Sequence, residues 1–212
     1  MSNLYRALRT SFVTAIALTL SGCVTLLPES KPADLYRFGA DATQVADNAP
    51  PRPAPRVGVA RISGAFAQAA SGDKILTVTG ARVAYLADAR WISTASVLFD
   101  EAVLRGFDAS ASTVRIINRN EPALAVCILR LDVQQFEADY DHGPGGAPQV
   151  NIVVHATLLR AADRAIMRDE VFRGVVRARA NRVTSIVAAF DEGVRQVITQ
   201  VVAMTSESAR PA

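Results

Sequence analysis

The sequence predicts an α+β domain in which an antiparallel or mixed β-sheet carries two amphipathic helices packed on one face, in strand-helix-strand-helix order. Three observations predict it. Between residues 124 and 136, Leu129, Leu131 and Val133 alternate with Arg130, Asp132 and Gln134, which gives a strand with one dry and one wet face. Near the end of the chain, Val183, Val187, Phe190, Val194, Val197, Val201 and Met204 recur every three or four residues, the period of a helix. A weaker pattern of the same kind, Ile92, Ala95, Phe99, Ala102 and Val103, marks a helix over residues 91–105 closed by Gly106. The chain has 212 residues, half of them apolar, enough to bury one core.

In chain order, residues 35–38 form a short strand that joins the sheet. Residues 41–56 follow as a loop, in which Pro50, Pro51, Pro53 and Pro55 favour stiff, extended chain. Strands are expected over 56–62, 75–78 and 82–86, the last two joined by a hairpin that turns at Gly80. After the helix come strands over 113–117 and 124–136, separated by the turn-forming run from Asn118 to Pro122. Gly143, Pro144, Gly145, Gly146 and Pro148 make 139–148 a flexible hairpin tip. It leads into strands 149–159 and 166–179, and these three long strands make an antiparallel meander. In the terminal helix, Ile186, Ile198 and Val202 widen the stripe beyond a coiled-coil seam, so the helix lies on the sheet; a partner helix is the alternative. Asp191 and Arg195 are spaced to pair on its wet side. The single domain is expected over 35–206, with a disordered tail at 207–212.

The first 22 residues have the form of an export signal. Arg6 and Arg9 precede a short apolar run that is too brief to span a bilayer comfortably. Leu20, Ser21, Gly22 and Cys23 resemble the lipobox of bacterial lipoproteins. That resemblance implies cleavage before Cys23, acylation of its thiol, and residues 23–34 as a lipidated tether; an ordinary secretory leader or a short membrane anchor are the alternatives. Val24 rather than Asp beside Cys23 implies passage to the outer membrane, lipid-anchored on its periplasmic face. Several acyl chains would hold the protein stably, where one would not. Removing the two leader arginines from the 23 basic residues leaves 21 against 20 acidic, so the mature chain is nearly neutral. Its charge gives no reason to expect nucleic-acid binding.

Few residues suggest chemistry. With Cys23 acylated, Cys127 has no disulfide partner, and its strand parity with Leu129, Leu131 and Val133 makes it a buried free thiol. His142, beside Asp141 and near Asp139, reads as a solvated loop histidine, with adventitious metal binding as the alternative, and His155 as a surface or hydrogen-bonded strand histidine; no metal site is expected from two histidines. Ser63 before Gly64 is not a nucleophile elbow, and no phosphate-cradling loop occurs, so neither an enzyme nor a non-covalent cofactor is expected. Arg173, Arg177 and Arg179 share strand parity. They read either as a basic stripe for anionic headgroups or an acidic partner, or as cations paired with carboxylates on neighbouring strands.

The lipobox, the short strand with Tyr36, Arg37 and Phe38, the hairpin ending in Tyr85, Arg90 and Trp91 opening a helix, the long hairpin and the terminal helix together resemble one family. It is that of the ABC-type transport auxiliary lipoproteins, the group that includes paraquat-inducible protein C. The resemblance implies an outer-membrane-tethered, non-catalytic docking component of a phospholipid transporter built from an ATPase, a permease and a mammalian-cell-entry (MCE) domain protein, with a homo-oligomer as one arrangement. Within it, Trp91, Tyr85 and Arg90 are candidate interface residues, although core packing where helix meets sheet is the default reading of Trp91 and Tyr85. A structural or assembly lipoprotein of the envelope, without a transporter, is the competing reading; a third is a carrier that binds lipid in its own cavity, although the sequence shows no surplus of apolar residues that would demand one.

Overall fold

A computed structural model describes residues 32–39, 57–110, 113–117 and 124–209. The expected leader, Cys23 and the proline-rich loop lie outside these residues. The elements are β1 (Asp34–Tyr36), β2 (Val57–Phe66), a 3-10 turn (Gln68–Ala70), β3 (Lys74–Thr79), β4 (Arg82–Trp91), α1 (Ala95–Ala109), β5 (Val114–Ile117), β6 (Cys127–Asp139), β7 (Gln149–Arg160), β8 (Ile166–Arg177) and α2 (Val183–Ser208). One compact unit, Ala33–Ala212, holds them.

The eight strands form one mixed sheet, and the fold is α+β. β6 is its hub. Along one edge, β2 pairs in parallel with its first half and β3 with its last residues, while β7 runs antiparallel along the other edge. β8 continues the antiparallel meander beyond β7, β5 lies parallel to β2, and β1 lies parallel to β4.

The alternation expected of β6 holds as far as Val133 and then changes hand. Cys127, Leu129, Leu131 and Val133 are buried, but beyond them Phe136 and Ala138 are, because the ladder with β7 slips between Val133 and Gln135. A bulge of this kind inserts one residue and moves every later side chain to the other face. β7 carries no such break: Val150, Ile152, Val154, Ala156 and Leu158 all face the core.

The first helix begins later than its periodicity suggests. Arg90 and Trp91 end a strand rather than open a helix, since β1 lies against Ala89, Arg90 and Trp91, and the Ile92 amide donates to the Tyr36 carbonyl over 2.7 Å. Long-range pairing thus overrides the local helical spacing, and Ile92 is left 60 % exposed. β4 reaches this second partner through an irregularity opposite Lys74 and Leu76, where Asp88 adopts a φ of 53°. The β3–β4 hairpin turns at Gly80, whose φ of 57° suits the first position of a two-residue link.

Further boundaries differ from the sequence reading. β6 starts at Cys127, leaving Leu124 exposed, and β8 ends at Arg177, so Arg179 is not on the strand. α2 includes Glu207 and Ser208, and Ala209 behind them is buried, so the chain is ordered past 206; residues 210–212 lie outside the described part. The 139–148 tip is tied down: the Tyr140 hydroxyl and the Asn181 side-chain oxygen lie 2.9 Å apart, Asn181 Nδ2 donates to the Pro144 carbonyl, and Arg177 reaches Asp141 and the Ala147 carbonyl.

The core is centred on six aromatic rings drawn from across the chain. Phe136 sits 4.9 Å from Phe190 on α2, 5.3 Å from Phe38 and 5.5 Å from Phe66, while Trp91 meets Phe38 and Phe190 edge-on at 5.0 and 5.3 Å. Phe99 on α1 joins through Phe66. Edge-to-face contacts of this kind add about 0.5–1.5 kcal/mol each beyond area burial. Both helices therefore pack on the same cluster, and they touch each other where Gly106 leaves room for Ile198.

Candidate functional site

The chain segment that follows β1 binds both helices. Past the buried Phe38, Gly39 adopts a φ of 71°, and a Cβ there would sit 2.7 Å from the Cβ of Ala102 on α1. Its amide donates to Asp191 on α2, and its carbonyl accepts from Arg105 Nε on α1 over 2.9 Å. Only glycine suits this position, since it combines left-handed backbone with close approach to a helix. This use of Asp191 displaces the expected pairing with Arg195, which turns to Glu192 instead.

Two cavities flank this clamp, one after the other along α2. The first is a groove of about 330 Å3 between the helices, floored by Ala102, Gly106 and Ala109 of α1 and by Val194, Ile198 and Val202 of α2. Small residues on one helix facing branched ones on the other leave this apolar space open. The second, about 880 Å3, lies beside the first turns of α2 and is lined by Arg37, Arg177, Arg179, Arg182 and Arg195 against the carboxylates of Asp191 and Glu192. Asp191 and Arg195 line both cavities, so the apolar groove and the basic cleft adjoin.

The arginines of the cleft are unequally engaged. Arg177 forks onto Asp141 at 2.5 and 2.6 Å and also reaches Gln149; those hydrogen bonds hold the Asp141 carboxyl down to a pKa of about 2 and raise that of Arg177. Arg182 Nε bonds the Ser185 hydroxyl, and Arg195 pairs with Glu192. Arg37 and Arg179 are exposed and make no hydrogen bond or ion pair among the described residues. No acidic side chain occupies the first turn of α2 and no side chain caps it, so the positive end of the helix adds to the field.

The structure separates the residues singled out in the sequence. Trp91 is 2 % exposed at the centre of the aromatic cluster and presents no surface. Tyr85 is 44 % exposed; its hydroxyl donates to the Ala69 carbonyl, and Lys74 Nζ lies 5.2 Å above its ring. Arg90 is exposed and pairs with Asp73 at 3.0 Å. Of the arginine stripe, Arg177 and Arg179 line the cleft, whereas Arg173, four residues before Arg177 on β8, is not part of it. The sequence reading missed Arg37, Arg182 and Arg195 as neighbours of this pair. Nothing local marks them, since Arg37 follows β1, Arg182 immediately precedes α2 and Arg195 lies on it.

Cys127 is a free, buried thiol, with Sγ 3.8 Å from Met167 Sδ; burial pushes its pKa up, partly opposed by Arg160. His155 Nε2 lies 2.5 Å from Asp169 Oδ1, which also accepts from Thr157 on the outer face of the sheet, and His142 is exposed beside Asp141. Among the described residues, no group of three or more His, Cys, Asp or Glu side chains could hold a metal, and no helix is long and apolar enough to cross a membrane.

Comparison with known proteins places these features in a family. The chain resembles protein XCC0632 of Xanthomonas campestris, with a TM-score of 0.66 and 21 % identity over 76 % of this chain and 89 % of that one. An uncharacterised protein is similar at a TM-score of 0.62 and 13 % identity, covering 83 % of this chain and all of the other. The hypothetical protein CT253 of Chlamydia trachomatis follows at 0.51 and 10 %, over 73 % and 98 %. At these identities the likeness is one of fold. No curated protein matches the sequence. The model of the ABC-type transport auxiliary lipoprotein component matches residues 36–202, from the end of β1 to the last turns of α2. The chain therefore belongs to the ABC-type transport auxiliary lipoprotein family.

Proposed function

We infer that the protein is a non-catalytic docking component of an ABC transporter that moves phospholipid-like molecules across the envelope, acting beside an MCE-domain protein and held to the periplasmic face of the outer membrane by a lipid on Cys23. The observation that carries this reading is the family match, which covers the sheet and both helices rather than one motif. The lipobox-like run ending at Cys23 supports a lipid anchor, and Val24 beside it supports the outer membrane. A tethered domain gains a high effective concentration for any partner within reach, so docking needs little intrinsic affinity. Tyr85 and Arg90, both exposed on β4, are the candidate docking residues; the buried Trp91 acts by holding the strand that presents them.

Two measurements test the reading. Radiolabelled palmitate should enter the protein, and Cys23→Ser should abolish both the label and membrane fractionation. Affinity purification from envelope extracts, with mass spectrometry, should recover an ATPase, a permease and an MCE-domain protein. Recovery of envelope assembly factors alone would instead favour a structural lipoprotein.

A further inference from the structure

We propose that the basic cleft and the adjoining apolar groove are one binding site for an anionic amphiphile, the cleft taking a phosphate-bearing headgroup and the groove a single acyl chain. The shared residues, Asp191 and Arg195, mark where head and chain would join. Five arginines face two carboxylates in the cleft, and Arg37 and Arg179 have their forked donors uncommitted. Guanidinium groups bind phosphate through paired donors, and the uncapped start of α2, with Thr184 and Ser185 in the lining, offers a favourable dipole.

The groove supplies the other half of an amphiphile. Its 330 Å3 is roughly twice the ~150 Å3 apolar cavity that accepts a benzene ring, room for about a dozen carbons. The two cavities span α2 from Thr184 to Val202, roughly 27 Å at the rise of an α-helix, so the site is long and narrow, as a chain with a head requires. A soluble anion would use only the cleft, and an uncharged hydrocarbon only the groove. Their adjacency at Asp191 and Arg195 favours a ligand with both characters. The inference depends on the transporter reading only for the choice of a phospholipid-like probe.

The test uses the full chain held in phosphatidylcholine nanodiscs, titrated calorimetrically with decanoyl-glycerol phosphate below its micellar concentration, with empty discs as the blank. Saturable uptake of one molecule per protomer is expected. The double variant Arg37→Ala/Arg179→Ala, altering two exposed side chains, and the groove-filling Ala109→Trp should each weaken uptake at least tenfold, with unchanged circular dichroism. Equal affinity for glycerol phosphate would make the cleft a free-phosphate site and overturn the proposal; so would equal affinity for uncharged decanoylglycerol, no uptake, or parental binding by both variants. Recovery of transporter subunits with the same variants is scored separately, so a failed ligand site and a failed docking role give different results.

Discussion

Gly174 on β8 and Gly193 on α2 meet backbone to backbone: a Cβ on Gly174 would lie 2.3 Å from the Gly193 carbonyl oxygen. A clash with backbone cannot be relieved by a rotamer change, so the helix or the strand must move. Gly174→Ala should cost about 1–3 kcal/mol or more, as overpacking does. A Cβ on Gly193 would meet only the tip of Ile152 at 3.0 Å, and alanine is the better helix former, so Gly193→Ala should be much milder. Urea unfolding of the two variants checks the asymmetry; equal losses would mean that the crossing is looser than described.

Trp91→Ala should remove about 3–5 kcal/mol, because the indole is enclosed by Phe38, Phe136 and Phe190. Tyr85→Ala and Arg90→Ala should each stay within about 1 kcal/mol of the parent, since both side chains are exposed and surface pairs contribute little. Thermal melts of the three variants separate core from surface. If Trp91→Ala melted like the parent, the indole would not be the centre of the core.

Acid should loosen the β7–β8 end of the meander through Asp141. The Arg177 hydrogen bonds hold its folded pKa at about 2, below the usual value of about 3.9 for an unfolded chain. A depressed carboxyl stabilises above the unfolded pKa and loses that contribution as pH falls from about 4 through about 2. Asp141→Asn should therefore flatten the melting temperature between pH 4 and 2 relative to the parent. Identical pH profiles would show that the fork onto Arg177 carries no stability.

Cys127 should react with a thiol reagent at pH 8 only after unfolding, since it is fully buried and its pKa is raised. A raised thiol pKa has the opposite sign to the Asp141 case: the folded chain holds its proton longer, so stability falls as pH rises beyond the unfolded value of about 8.5. Rapid modification of the native protein would mean that this end of β6 opens readily.

Much of the architecture was legible because it depends on local periodicity. The stripe from Val183 to Met204 identified α2, and the alternation at Leu129, Leu131 and Val133 identified β6 and its buried face, Cys127 included. What escaped depends on partners distant in sequence. Trp91 reads as helical until β1 is seen to pair with it, and Gln134 gives no sign that the ladder slips beside it. Gly39 is the plainest case, because its constraint comes from Ala102, Arg105 and Asp191. The site shows the same division: Arg173, Arg177 and Arg179 stood out as a stripe, but only folding leaves Arg173 aside and brings Arg37, Arg182 and Arg195 beside the other two.

The place where the chain enters the domain has a mechanical consequence. A pull applied on the N-terminal side of Ala33 would load β1, a three-residue strand that pairs, among the described residues, with β4 alone and taken by itself would peel at low force. Two residues further on, Phe38 is plugged into the aromatic cluster and Gly39 is pinned to both helices, so the load passes at once to the core and the helix pair. Phe38→Ala should therefore lower its rupture force in single-molecule pulling more than any change within β1.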